Sequence, residues 1–209
     1  MFAWLLPVLP LAAATGVSVR VEVKDPKGAP VADAVAFLVP LESKVTVTAP
    51  AEPVVITQMK EEFQPYVTTV VVGTRVAFPN RDKVQHHVFS LSKPKQFDLG
   101  LYLGDPKELV TFDQPGVVTL GCNIHDWMSA YVVVLATPYF SKSANEGLAV
   151  IENTPAGKYR LEVWHPRLKA TITRDLALEA GAVTQVVSVT LGIDRRIRRA
   201  PETSGGAYR

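Results

Sequence analysis

The sequence holds a single cysteine, Cys122, among its 209 residues. One thiol cannot form an internal disulfide, so Cys122 is an inert core residue, an intermolecular link or a metal ligand. A charge excess of either sign is missing too. The 22 Lys and Arg face 20 Asp and Glu, and the net charge of +2 is too small to indicate nucleic-acid binding. No long stretch shows the helical apolar period, and no tandem repeat is present. Long apolar runs are also absent. The opening run, residues 1–14, falls short of the about 20 residues that a bilayer span needs, so no transmembrane span is expected.

What is present is apolar and strongly punctuated. Hydrophobic residues make up 47 % and charged ones 20 %, which marks a globular chain. Sixteen prolines and thirteen glycines among many valines and threonines favour strands and turns. Residues 1–14 carry no charged side chain and end in Ala12-Ala13-Ala14, which reads as a signal peptide h-region with its small-residue cleavage site. A buried N-terminal strand is the competing reading, but Pro7 and Pro10 argue against it. The expectation is therefore a periplasmic or otherwise exported protein.

Val17 to Lys24 alternates strictly, the mark of a half-buried strand. Asp25-Pro26-Lys27-Gly28 supplies a turn, and a second strand is predicted from Val31 to Val39. Residues 41–53 read as a connection. Further strands are predicted at 54–57, 67–72, 75–78, 86–90, 109–112, 117–121 and 129–136. After Pro138 the pattern restarts, with strands at 148–151, 158–164, 169–178 and 183–191. Short strands at regular spacing indicate sandwiches or barrels, so the fold class is all-β. Residues 194–209 read as a basic disordered tail, with Arg195, Arg196, Arg198 and Arg199; a solvated tail is the commoner explanation, and an acidic partner or an anionic membrane surface the functional one.

Chemistry concentrates in Cys122-Asn123-Ile124-His125-Asp126-Trp127-Met128. A thiol, an imidazole and a thioether fall within seven residues. Thiolate and thioether are soft ligands and imidazole is borderline, which suits copper better than calcium or magnesium. Two histidines and a cysteine with a weak axial methionine make up the blue-copper pattern. The second histidine must come from elsewhere, and His86-His87, at the start of an apolar strand, offers two choices. Taken singly, each residue has a plain explanation: Cys122 and Met128 as core filler, His125 as a surface group. Their crowding on one segment beside a distant histidine pair is what favours a metal. A structural zinc site is the metal rival, though zinc rarely takes methionine and a second cysteine is lacking. A Cys–His nucleophile pair would want a third, orienting residue, and none is evident. His165, before Pro166, reads as structural.

These residues also carry a family resemblance. Cys122-x-x-His125-x-x-Met128 resembles the ligand loop of the cupredoxins, with the His-to-Met spacing of amicyanin. Phe63-Gln64-Pro65 and Val70 to Asn80 resemble the family's approach to its first copper histidine, where an Asn stands six residues earlier. Counted from Asn80, that residue is His86 rather than His87. His87 stands where many cupredoxins carry Asn. Thr111 to Gly116 resembles the turn before the cysteine, and Phe89 to Phe140 is similar to plastocyanin-like proteins labelled as methylamine utilisation proteins. The resemblance covers residues 54–136. It implies a Greek-key β-sandwich with one type-1 copper held by His86, Cys122, His125 and Met128, and no substrate chemistry of its own. It implies single-electron traffic with a redox partner protein, a dehydrogenase or cytochrome. Copper storage, delivery or sensing with the same ligands, and a non-redox structural or adhesion sandwich, are the alternatives.

The flanks have a second resemblance. Val19 to Val39 is similar to the opening strands of carboxypeptidase-regulatory or transthyretin-like sandwiches, and Asn145 to Val163 to the later strands of that module. Neither flank alone supplies enough strands for a core. The expectation is one discontinuous sandwich, residues 17–41 plus 137–193, with the copper domain 54–136 inserted. An independent C-terminal sandwich flanking the copper domain is the rival.

Overall fold

The computed structural model describes residues 16–106, 108–179 and 181–193. The expected leader, residues 1–14, and the basic tail, residues 194–209, lie outside the described residues. Among the described residues the regular structure is all strand, and no helix is long and apolar enough to cross a membrane.

The first strand, Val17–Lys24 (β1), follows its alternation: Val17, Val19, Val21 and Val23 turn inward with no exposed surface. Val35–Pro40 (β2) starts four residues later than the predicted Val31. Asp33 takes φ 59°, a conformation foreign to a strand, so the extended run begins only beyond it. The middle of the chain supplies Val54–Val55 (β3), Thr57–Met59 (β4), Glu62–Gln64 (β5), Val67–Val71 (β6) and Thr74–Ala77 (β7). His86–Ser92 (β8), Lys95–Tyr102 (β9), Val110–Phe112 (β10), Gly116–Cys122 (β11) and Ser129–Leu135 (β12) follow. Phe140–Lys142 (β13), Leu148–Thr154 (β14), Gly157–Trp164 (β15), Ile172–Leu178 (β16) and Ala182–Ser188 (β17) complete the set.

Strands from the two ends of the described chain share sheets. β1 lies between β14, antiparallel, and β17, parallel; β2 lies between β13 and β15, with β16 outside. Residues of both sheets form one apolar cluster, which includes the four β1 valines, Leu38, Ile151, Leu161 and Val163. Burying each such side chain is worth about 1.5–3 kcal/mol. Ser143 pins the two sequence regions directly. It accepts the Ala34 N–H at 3.0 Å and donates to the Val31 carbonyl at 2.8 Å, with 2 % of its surface exposed.

The middle strands form a five-stranded sheet, β6-β12-β11-β8-β9, and a three-stranded one, β10-β7-β3, with the β4-β5 hairpin beside them. Their shared core holds Phe78, Phe112, Val118, Leu120, Val132 and Val134, together with Cys122 and Met128. β12 is buried on both faces, which explains its unbroken apolar run Tyr-Val-Val-Val-Leu. Ala130, Val132 and Val134 face the middle core, while Val133 and Leu135 join Val35, Val67, Phe37, Phe140 and Trp164 in a third cluster. That cluster is where the two sets of sheets meet.

Candidate metal centre

β8 opens on the site. Its period of two turns His86, Val88 and Ser90 inward and His87 and Phe89 to the other face. His86 has no exposed surface. The loop that leads into it is clamped by Asn80, whose side-chain N–H groups donate to the carbonyls of Val84 at 2.9 Å and Tyr102 at 3.1 Å. The Asn80 side-chain Oδ1 accepts the Asp82 N–H at 2.9 Å. Asn80, a counting marker in the sequence, thus shapes the loop that delivers His86.

The other residues come from the hairpin β11–β12. Gly121 pairs with Ser129, so residues 122–128 leave and rejoin the sheet at neighbouring positions. The Met128 N–H donates to the His125 carbonyl at 2.9 Å and the Cys122 N–H to the Met128 carbonyl at 3.3 Å. This folds the loop back over its own first residue. β11 also pairs with β8, with Cys122 opposite Val88, which brings the thiol beside His86.

Three donor atoms converge there. His86 Nδ1 lies 3.1 Å from His125 Nδ1, Cys122 Sγ lies 3.7 Å from His125 Nδ1, and Cys122 Sγ lies 4.0 Å from His86 Nδ1. Among the described residues this is the one His/Cys/Asp/Glu cluster close enough to hold a metal ion. A triangle with these edges has a circumradius of about 2.1 Å, which matches metal–nitrogen and metal–sulfur bonds of about 2.0–2.3 Å. The site therefore fits a metal ion without rearrangement, and its soft thiolate with two imidazoles is consistent with type-1 copper. Met128, 2 % exposed, belongs to the same apolar cluster as Cys122. His87 stands apart: its Nε2 meets Asp98 Oδ1 at 2.5 Å on the outer face of the sheet.

Around the donors lies a polar ring. His86 Nε2 meets Asp82 Oδ2 at 2.8 Å. Burial pushes the Asp82 carboxyl up, but the Glu61 N–H, His86 and the Lys60 N–H outweigh it and hold it below the usual carboxylate range. Tyr102, opposite His86 across β8 and β9, donates its hydroxyl to the Phe78 carbonyl at 2.6 Å and accepts from Gln58 Nε2 at 2.5 Å. Burial, which outweighs the Gln58 hydrogen bond, pushes the Tyr102 phenol far above its ordinary range, and the nearby Cys122 charge adds to the rise. Trp127 packs beside His125, with ring centroids 5.2 Å apart at 50°. His165, 7 % exposed, accepts the Arg167 N–H on Nδ1 at 3.1 Å, away from the donor cluster.

Asp82, Gln58 and Tyr102 are the residues of this site that sequence reasoning passed over. Asp82 lies four residues before His86 and offered a signal through that proximity. Tyr102 lies on β9, which the pattern did not reveal.

No family model and no curated protein matches the chain. Among solved structures it is similar to the Cu-containing nitrite reductase of Thermus scotoductus SA-01, at 27 % identity over 46 % of this chain, with a TM-score of 0.38. That match spans only 27 % of the nitrite reductase's length. A purple cupredoxin from Nitrosopumilus maritimus is similar at 22 % identity, over 39 % of this chain and 99 % of its own, with a TM-score of 0.35. Amicyanin from Paracoccus versutus is similar at 22 % identity, over 47 % of this chain and 98 % of its own, with a TM-score of 0.37.

Proposed function

We propose that this chain is an exported, periplasmic electron carrier. In this reading a cupredoxin domain over residues 54–136 holds one type-1 copper through His86, Cys122, His125 and Met128. The observation that carries it is the donor triangle of His86 Nδ1, Cys122 Sγ and His125 Nδ1, already closed to bonding dimensions. Copper in that triangle would supply a single-electron capacity by alternating between Cu(II) and Cu(I).

The chain's own residues favour that use. The closed loop 122–128 and the strand pair β8–β11 hold the donors in one geometry, so little need move when the charge at the centre changes. Cys122 and His86 are buried, which keeps solvent off the thiolate; His125 is only partly buried and gives the centre its edge toward a partner. Ile124, beside it, is 47 % exposed and adds an apolar contact there. The partner is a redox protein, a dehydrogenase or cytochrome, and the chain carries out no substrate chemistry of its own. Residues 17–41 and 137–193 would form a transthyretin-like sandwich that carries the copper domain as an insertion.

Voltammetry of the copper-loaded protein tests the carrier role. A reversible one-electron wave, fast self-exchange and retention of copper against a chelator are expected. Slow exchange with ready loss of copper would mark a storage or delivery protein instead.

A further inference from the structure

The Asp82 carboxylate lies outside the donor set, yet it serves three partners. Its Oδ1 accepts the Lys60 N–H at 2.6 Å, and its Oδ2 accepts the Glu61 N–H and meets His86 Nε2, both at 2.8 Å. The side chain is only 14 % exposed. Lys60 and Glu61 are the two loop residues of the β4–β5 hairpin, where Met59 pairs with Glu62, and both take positive φ, 59° and 57°. A two-residue hairpin loop of this hand is ordinarily Asn-Gly or Asp-Gly, because side chains other than these crowd the backbone there. Lys-Glu lacks that freedom. The turn therefore needs support from outside the hairpin, and its two N–H groups find it on one carboxylate.

The same carboxylate determines which nitrogen of His86 carries hydrogen. An ionised carboxylate only accepts hydrogen bonds, so the ring nitrogen that faces it must be the donor. In a neutral imidazole that leaves the other nitrogen, Nδ1, as a bare lone pair. Nδ1 is the atom that faces Cys122 Sγ and His125 Nδ1.

We propose that Asp82 is a positioning residue that fixes His86 as its Nε2–H tautomer with Nδ1 turned to the centre, and that the strained Lys60–Glu61 turn holds the Asp82 carboxylate in place. Its purpose rests on the copper reading, but its effect on His86 can be read without metal. A surface turn is thereby tied to a buried ligand through one side chain.

Nitrogen NMR of the His86 ring in the metal-free full chain tests this, with copper titration alongside. Lys60→Gly with Glu61→Gly lets the turn stand without Asp82, so the hairpin should survive Asp82→Ala in that background. Wild type and the glycine background should both show the Nε2–H form. Adding Asp82→Ala should mix the two tautomers and weaken copper binding by about 10- to 100-fold with unchanged circular dichroism. Asp82→Asn, whose carbonyl oxygen can still accept from Nε2, should keep most of the Nε2–H form and serves if the alanine variant fails to fold. An Nδ1–H form in wild type, or Asp82→Ala with the Nε2–H form and copper affinity both retained, would overturn the proposal. Wild-type protein with the Nε2–H form but no blue copper centre would support Asp82's role and remove the electron-carrier reading.

Discussion

At the scale of single residues, the division of labour follows from ligand chemistry. In the proposed copper site Cys122 would supply the charge and the soft bond, His86 and His125 would close the triangle, and Met128 would be the weak further donor. Met128→Leu should therefore keep the colour of the copper-loaded protein and raise its reduction potential, because a soft donor to Cu(II) is lost while the triangle stays; a colourless Met128→Leu protein would make Met128 a principal ligand. His86→Ala should weaken copper binding by at least about 10-fold, whereas His87→Ala, which breaks only an outer bond to Asp98, should leave it nearly unchanged. The candidate donors stood out in the sequence because three soft or borderline groups crowd one short segment, and the structure brings Cys122 and His125 together with His86. Asp82 did not stand out. A carboxylate in a polar loop reads as solvated, and its role depends on a turn about 21 residues upstream whose left-handed backbone no local pattern announces.

At the scale of elements, β12 ties the two cores together, since one face packs on the core that holds Cys122 and Met128 and the other on the junction between the sheets. Val133→Ala should lower the free energy of unfolding by about 2 kcal/mol through lost burial and a residual cavity. The change lies on the face turned from Cys122, so the copper spectrum should stay as it was. A shifted band in that variant would show that the faces are coupled. β1 was legible from strict alternation and β12 from its apolar run. β9 was hidden because none of its residues is fully buried and Gly100 interrupts it with φ 66°. Such a strand is read from its partner, β8, rather than from its own composition.

At the scale of the whole molecule, β1 and β2 are interior strands of sheets whose other members come from residues 140–188. Deleting residues 17–39 would leave those sheets without their centres, so residues 137–193 should lose cooperative folding while residues 53–136 still take up copper. Proteolysis and thermal unfolding of the two fragments measure this; a stable fragment 137–193 would place the sandwich core wholly in the C-terminal segment. The shortened protein should also aggregate more readily, because Val67, Val133 and Leu135 lose their cover. The most direct measurement on the intact chain is the visible absorption spectrum after copper(II) is added to metal-free protein. An intense thiolate-to-copper charge-transfer band should appear at one copper per chain and vanish in Cys122→Ser. A colourless wild-type complex, or a blue Cys122→Ser protein, would contradict the type-1 copper centre.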